Sequence, residues 1–260
     1  MHDWSGLASL RAGMPALPPG HVWLAGAGPG DPGLLTLHAL AGLAHADVIV
    51  HDALVDKRVL ALAGPQSRLE FAGKRGGRPS AMQADISNRL IELAQGGHRV
   101  LRLKGGDPCV FGRGGEEAMA LAAAGVPFRI IPGITSGLAA LASASIPATM
   151  RQVNRAITFA AGHGTDDDYD WGPLARTGEP IVLFMVLHNL ERIAAALIHA
   201  GREPRTPAAA IAAATTDAER ILISTLERIA ADAREQALES PAIVVVGDIV
   251  AMRDRLLGSP

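Results

Sequence analysis

Residues 22–37 read VWLAGAGPGDPGLLTL, and the order of residue types in them decides the fold class. Residues 22–25 are a short apolar run of strand type. The run passes into Gly26, Gly28 and Gly30, where a chain can turn sharply because glycine tolerates left-handed backbone. Asp31-Pro32 then has the form of a helix N-cap followed by proline at the first helical position. Beyond it, Leu34, Leu37, Leu40, Leu43 and Ala44 recur at helical spacing, which predicts a helix that turns them inward. Strand, glycine turn and helix in that order make one unit of an α/β domain.

The rhythm continues outward from this stretch. Residues 47–51 and 68–71 read as strands, and Ser80 and Gln83 have capping-box spacing ahead of a helix carrying Ile86, Leu90, Ile91 and Leu93. Residues 99–104 (RVLRLK) form a strand that ends in Gly105-Gly106, residues 115–124 a helix, and residues 128–131 a strand stopped by Pro132-Gly133. The second half predicts strands at 156–161, 181–184, 208–212, 221–224 and 243–246. Its helices fall at 190–200 and 226–236, the latter capped by Thr225, and residues 162–176 read as a polar surface loop. The alternation predicts an α/β protein with substantial parallel pairing. The expected division is a loose tail over 1–20, one α/β domain over 21–134 and a second over 135–260.

Composition narrows the function classes. With 48% hydrophobic and 19% charged residues the chain is a folded globular protein, and a net charge of −2 gives no surface for nucleic acid or an anionic membrane. An anionic substrate has to be met by a local cluster of Arg and Lys. The single cysteine, Cys109, rules out an internal disulfide and reads as a small buried apolar residue. No basic and apolar leader opens the chain and no apolar run is long enough to span a bilayer, so the expectation is a cytoplasmic protein.

In open α/β sheets ligands bind beyond the carboxyl ends of strands, and all three glycine-rich turns follow strands. Gly26-Ala27-Gly28-Pro29-Gly30-Asp31 starts like a dinucleotide fingerprint, but Asp31 stands where the third glycine belongs and would repel a pyrophosphate. The turn serves either as a tight entry to a helix or as a ligand contact. In Gly105-Gly106-Asp107-Pro108, Asp107 has two possible tasks: accepting bonds from a ligand's hydroxyl or amine groups, or capping its own loop. Arg113 and Glu116, three apart at a helix start, share one face or pair on the surface. Thr135 and Ser136 after Pro132-Gly133 have the form of helix caps.

These segments together resemble the tetrapyrrole methylase family, and within it the enzymes that methylate uroporphyrinogen III. The stretches that carry the likeness are VWLAGAGPGDPGLLTL (22–37), DVIVHDALV (47–55), FAGKRGG (71–77), VLRLKGGDPCVFGRGGEE (100–117), VPFRIIPGITSG (126–137) and SPAIVVVGDIV (240–250). The resemblance implies two α/β domains with a cleft between them, a homodimer, and S-adenosylmethionine as methyl donor with no metal. It implies methylation of uroporphyrinogen III at carbons 2 and 7 to give precorrin-2. The runner-up substrate is a later precorrin or cobalt-precorrin, and a nucleotide-binding dehydrogenase or an inactive binding module stands further off.

By position, the resemblance assigns cofactor contacts to Pro29, Gly105, Gly106, Asp107, Val110, Thr135, Ser136, Met185 and Ala214. It implies Asp52 as proton acceptor and Lys74 as proton donor, with Arg113 and Glu116 beside the tetrapyrrole. The preferred assignment puts Arg113 with Glu116 nearest the chemistry and leaves Lys74 and Arg75 to handle carboxylates. Gly28, Arg75, Arg151 and His163 fall around the tetrapyrrole, where arginine forks suit carboxylates. The chain departs from its relatives at Cys109, where Phe is usual, at Met150 for His, at Phe184 for Tyr and at Ala53 for Arg.

Overall fold

The structure, a computed structural model, describes residues 13–72, 83–162 and 169–258. The chain divides into two compact units, with Thr135 the last residue of the first and Ser136 the first of the second.

The first unit holds strands β1 (Val22–Gly26), β2 (Val48–His51), β3 (Arg68–Phe71), β4 (Val100–Lys104) and β5 (Phe128–Ile131). They form one sheet in the order β3-β2-β4-β1-β5, and every pairing is parallel. A parallel sheet is covered on both faces, so its strands are apolar in both phases of the pleat. Trp23, Ala25, Ile49, Leu101 and Leu103 pack on one side with Leu43. Val22, Leu24, Val48, Val50 and Val100 pack on the other with Leu90 and Leu121. Helices α1 (Leu37–His45), α2 (Lys57–Leu60), α3 (Gln83–Gln95) and α4 (Gly114–Ala123) complete this unit.

The single helix expected after Asp31-Pro32 is two pieces. Asp31 accepts the Gly33 N–H at 2.7 Å and caps only a 3-10 turn at Pro32–Leu34. Thr36 then caps α1 by accepting the Ala39 N–H at 3.2 Å. Glycine inside the first turn and a hydroxyl three residues on favour a new start over continuation. Ala39, Gly42 and Leu43 face inward, whereas Leu37 and Leu40 are 40% and 39% exposed. The small face lets α1 lie close: a Cβ on Gly42 would come within 2.9 Å of Leu101 Cδ1.

The second unit has strands β6 (Thr158–Ala161), β7 (Ile181–Phe184), β8 (Pro207–Ala212), β9 (Arg220–Thr225) and β10 (Ala242–Val246), ordered β6-β7-β10-β8-β9. Only β6 and β7 are parallel; the other pairings are antiparallel. Its helices are α5 (Ser136–Ser143), α6 (Gly172–Thr177), α7 (Leu190–His199), α8 (Ile229–Glu235) and α9 (Met252–Leu257). In α7 the buried Leu190, Ile193, Ala194 and Leu197 follow the helical repeat.

Two expectations fail here. Helix α8 begins at Ile229 with no side-chain cap, because Thr225 is the last residue of β9 and the Leu226 and Glu227 N–H groups bond to the Thr206 and Pro204 carbonyls. The polar stretch read as a surface loop holds α6 and the buried Trp171, so its described part is partly core. Among the described residues no helix is long and apolar enough to cross a membrane.

Candidate active site

The strand order locates the site. The connection after β1 leads toward β2 and β3, whereas the connection after β4 leads back across β1 to β5. Neighbours β1 and β4 therefore send their chains in opposite directions, and a crevice opens beyond their carboxyl ends. Those ends are Gly26 and Lys104, so the first two glycine turns flank the crevice.

The turns are locked together by backbone. Gly28 donates to the Gly106 carbonyl at 3.1 Å, and Gly106 donates back to Gly28 at 2.7 Å. A Cβ on Gly26 would collide with the Gly106 carbonyl oxygen and sit 2.5 Å from Gly133 Cα. A Cβ on Gly133 would strike the same oxygen. Gly28 itself has φ +73°, a left-handed conformation suited to glycine. All three glycine turns thus meet in direct main-chain contact.

Asp107 caps its own loop. Its Oδ1 accepts the Cys109 and Val110 N–H groups at 2.8 and 3.2 Å, and its Oδ2 accepts the Gly133 N–H at 3.0 Å. One carboxylate shapes the second turn and ties it to the third. Cys109, read as buried, is exposed on this loop, because the Asx turn that caps it directs the chain to the surface.

Asp52 lies just beyond β2 at the same edge and accepts the Leu54 N–H at 3.0 Å. Leu54 abuts the second turn, since a Cβ on Gly105 would come within 2.8 Å of Leu54 Cβ. Beneath them is a group of charges to which the sequence reading gave no role. Arg102 and Lys104 leave the same face of β4 at 2% and 4% exposure, and Glu117 on α4 is fully buried. Glu117 Oε1 accepts from Arg102 Nε at 3.2 Å, Lys104 Nζ at 3.0 Å and Gln83 Nε2 at 2.9 Å. Burial pushes the Lys104 ammonium below its ordinary range; Arg102 adds to that and Glu117 opposes it. The signal was present in RVLRLK: two cations at alternate positions of a central strand must point at one face of a packed layer.

Arg113 and Glu116 form the surface pair, 2.6 Å apart with both side chains more than half exposed. Their mutual hydrogen bond raises the Arg113 pKa and lowers that of Glu116. Arg113 has φ +59°, and Phe111 just before it φ +54°. Left-handed backbone in non-glycine residues costs on the order of 1–2 kcal/mol each, and such strain clusters at functional sites. Pro29 and Val110 are half-buried beside these turns, and Thr135 is buried at the end of the first unit.

In the second unit Met185 and Ala214 follow β7 and β8, which run in the same direction and so end at one edge. Met185 at φ +52° is exposed, and Ala213 and Thr215 flank Ala214 at φ +47° and +66°. Ser136 opens α5. Arg151 is exposed on a turn organised by buried Asn154, which accepts from the Met150 N–H and donates to the Ala148 and Ala156 carbonyls. Asn154 also escaped the sequence reading; its partners lie in irregular chain that has no periodicity to read. Lys74, Arg75 and His163 lie outside the described residues, as does the expected cap Ser80.

A family model described as Tetrapyrrole (Corrin/Porphyrin) Methylases matches residues 21–230, across every strand of the first unit and all but β10 of the second. The chain belongs to the tetrapyrrole methylase family. As a tetrapyrrole methylase it is 55% identical over 251 residues to a uroporphyrinogen-III C-methyltransferase of Sinorhizobium sp, covering 95% of this chain and 90% of that one. It is 44% identical over 252 residues to a siroheme synthase of Methylococcus capsulatus, of which it spans 53%. A solved structure of the uroporphyrin-III C-methyl transferase from Thermus thermophilus, complexed with S-adenyl homocysteine, has a TM-score of 0.77 and 39% identity. That match covers 89% of this chain and 99% of the Thermus chain. The two-unit α/β fold is the one expected from the resemblance.

Proposed function

We propose that this chain is an S-adenosylmethionine-dependent methyltransferase that converts uroporphyrinogen III to precorrin-2 by methylation at carbons 2 and 7. The observation that carries the reading is the 55% identity to the Sinorhizobium enzyme over nearly the whole of both chains. The glycine turns at the crevice pack backbone on backbone, so what they offer an adenosyl ligand is main-chain donors and acceptors in a fixed arrangement. Gly105, Gly106, Asp107, Val110, Pro29 and Thr135 would hold it in the first unit; Ser136, Met185 and Ala214 are the contacts proposed in the second. With its carboxylate bonded inside the loop, Asp107 serves mainly to set the backbone that the ligand meets.

When bound, S-adenosylmethionine supplies an already activated methyl group, so no covalent enzyme nucleophile is called for. The residues have to align an electron-rich pyrrole carbon, keep water out and take away one proton after transfer. Arg113 and Glu116 stand at an exposed, strained turn where a paired carboxylate and guanidinium can meet the macrocycle. Asp52 is the proposed proton acceptor, Lys74 the donor, and Gly28, Arg75, Arg151 and His163 complete the substrate surroundings. The product serves porphyrin-type pathways such as sirohaem or cobalamin synthesis. The enzyme is proposed to act as a cytoplasmic homodimer without a metal, which light scattering and metal analysis of the purified protein check.

The test is anaerobic incubation with enzymatically generated uroporphyrinogen III and S-adenosylmethionine, followed by mass spectrometry of the oxidised products. A gain of both methyl groups is expected. No gain with S-adenosylhomocysteine still bound would move the substrate to a later precorrin and overturn the assignment.

A further inference from the structure

Among the described residues, the buried charges under the second glycine turn are two bases to one acid. Arg102 and Lys104 share one carboxylate oxygen of Glu117, and Glu117 Oε2 finds no hydrogen-bond partner among the described residues. Among the described residues, two basic side chains thus face a single carboxylate in the packed layer. Asp52 also faces this group: its Oδ2 lies 4.0 Å from Arg102 Nη2, and its side chain is one-quarter exposed.

Arg102 is well suited to aim its charge. Its Nε is fixed on Glu117, and its Nη1 donates to the Val50 and Leu103 carbonyls, so the planar fork is anchored at two nitrogens and Nη2 is the arm that faces Asp52. Asp52 Oδ1 accepts the Leu54 N–H, and Leu54 lies against Gly105. The carboxylate is therefore bonded to the Leu54 N–H through Oδ1 and lies 4.0 Å from the Arg102 guanidinium through Oδ2. Stability alone does not explain such a cluster, because replacing buried ion groups by apolar side chains is often neutral or stabilising.

We propose that Arg102 is a positioning residue for methyl transfer, holding the Asp52 carboxylate in a fixed place against the second glycine turn. The proposal rests on the reading that Asp52 accepts the substrate proton. Arg102 acts through Asp52 and touches neither cofactor nor macrocycle.

The experiment uses the full chain and the variants Arg102→Met, Arg102→Lys, Asp52→Asn and the double variant Arg102→Met/Asp52→Asn. Each is assayed for methyl transfer to uroporphyrinogen III, for S-adenosylhomocysteine affinity by calorimetry and for its urea midpoint. Arg102→Met is expected to lower kcat on the order of tenfold to a hundredfold, as misplacement of a reacting group does, with S-adenosylhomocysteine affinity unchanged. Arg102→Lys keeps the charge without the fork and recovers part of the loss. The double variant is expected to be no slower than Asp52→Asn alone, because the two act as one unit.

A kcat for Arg102→Met within about twofold of the parent overturns the proposal, as does a double variant whose loss is the product of the single losses. Unchanged kcat in Asp52→Asn overturns both the Asp52 assignment and this inference while leaving the activity in place. Should Arg102→Met fail to fold, Arg102→Lys with Arg102→Lys/Asp52→Asn carries the same cycle. If the parent does not methylate uroporphyrinogen III, the proposed function fails separately. The urea midpoints then decide, since additive effects of the Arg102 and Asp52 substitutions would refute their coupling.

Discussion

Replacing Gly26 by alanine tests the main-chain lock at the crevice most directly. The new methyl would collide with the Gly106 carbonyl oxygen and lie 2.5 Å from Gly133 Cα and 2.7 Å from Gly133 N. All of these are backbone atoms, so no flexible side chain can swing aside. Gly26 also sits in register with Lys104 in the sheet, which leaves β1 little room to withdraw. Overpacking a core costs about 1–3 kcal/mol, and several backbone clashes on one atom place this case at about 3. Alanine restricts the unfolded chain, which returns about 0.4–1 kcal/mol because the Gly26 backbone is not left-handed. The net expectation is a loss of about 2 kcal/mol in urea unfolding, together with weaker S-adenosylhomocysteine binding as the Gly106 turn is displaced. Gly115→Ala is the control: its Cβ would meet nothing within 4 Å, so it should leave stability unchanged or raise it by about 0.5 kcal/mol. A Gly26→Ala protein that unfolds at the parent midpoint and binds S-adenosylhomocysteine normally would refute the lock.

Other outcomes follow from the same geometry. Glu117→Ala strands Arg102 and Lys104 without their shared carboxylate and should cost about 3–5 kcal/mol by urea unfolding. Glu116→Gln, by contrast, breaks only an exposed pair, so its urea midpoint should match the parent while methyl transfer falls; a matched fall in both would argue against a role in chemistry. Glu70 is held below its ordinary pKa of 4.5, chiefly by the hydrogen bond from Arg89 and with burial opposing. A carboxylate lowered by folding adds stability above its unfolded value, and that contribution is lost as pH falls from 4.5 through the lower folded value. Glu70→Gln should therefore lose less stability than the parent over that acid window, and an equal loss in pH-dependent melts would contradict the pairing. Ala213→Gly relieves a left-handed alanine at φ +47° and should raise stability by up to about 1 kcal/mol; a lower melting temperature would count against strain there.

Much of the secondary structure was legible because its causes are local. The strand at 128–131 stops at Pro132-Gly133, and the strand at 181–184 is a wholly apolar IVLF run. Where two local signals competed, the reading went wrong. The leucines after Asp31-Pro32 suggested one helix, but Thr36 offered a second cap and the chain took it. Thr225 looked like a helix cap and instead completed a strand, because cross-strand pairing with Pro207 outweighs a local hydroxyl contact.

The site divides along the same line. The sequence by itself determined an α/β chain, three glycine turns after strands and a string of residues sufficient to suggest the family. It also placed Arg113 and Glu116 three apart at a helix start, close enough in the chain for their side chains to pair. Only the tertiary structure decided that Gly26, Gly106 and Gly133 share one point of contact, that Asp107 reaches Gly133, and that Arg102, Lys104 and Glu117 are buried beneath Asp52. These partners are separated by tens of residues and brought together by strand order. Strand order arises from packing both faces of a sheet at once, a property of the whole unit that no local stretch of residues encodes.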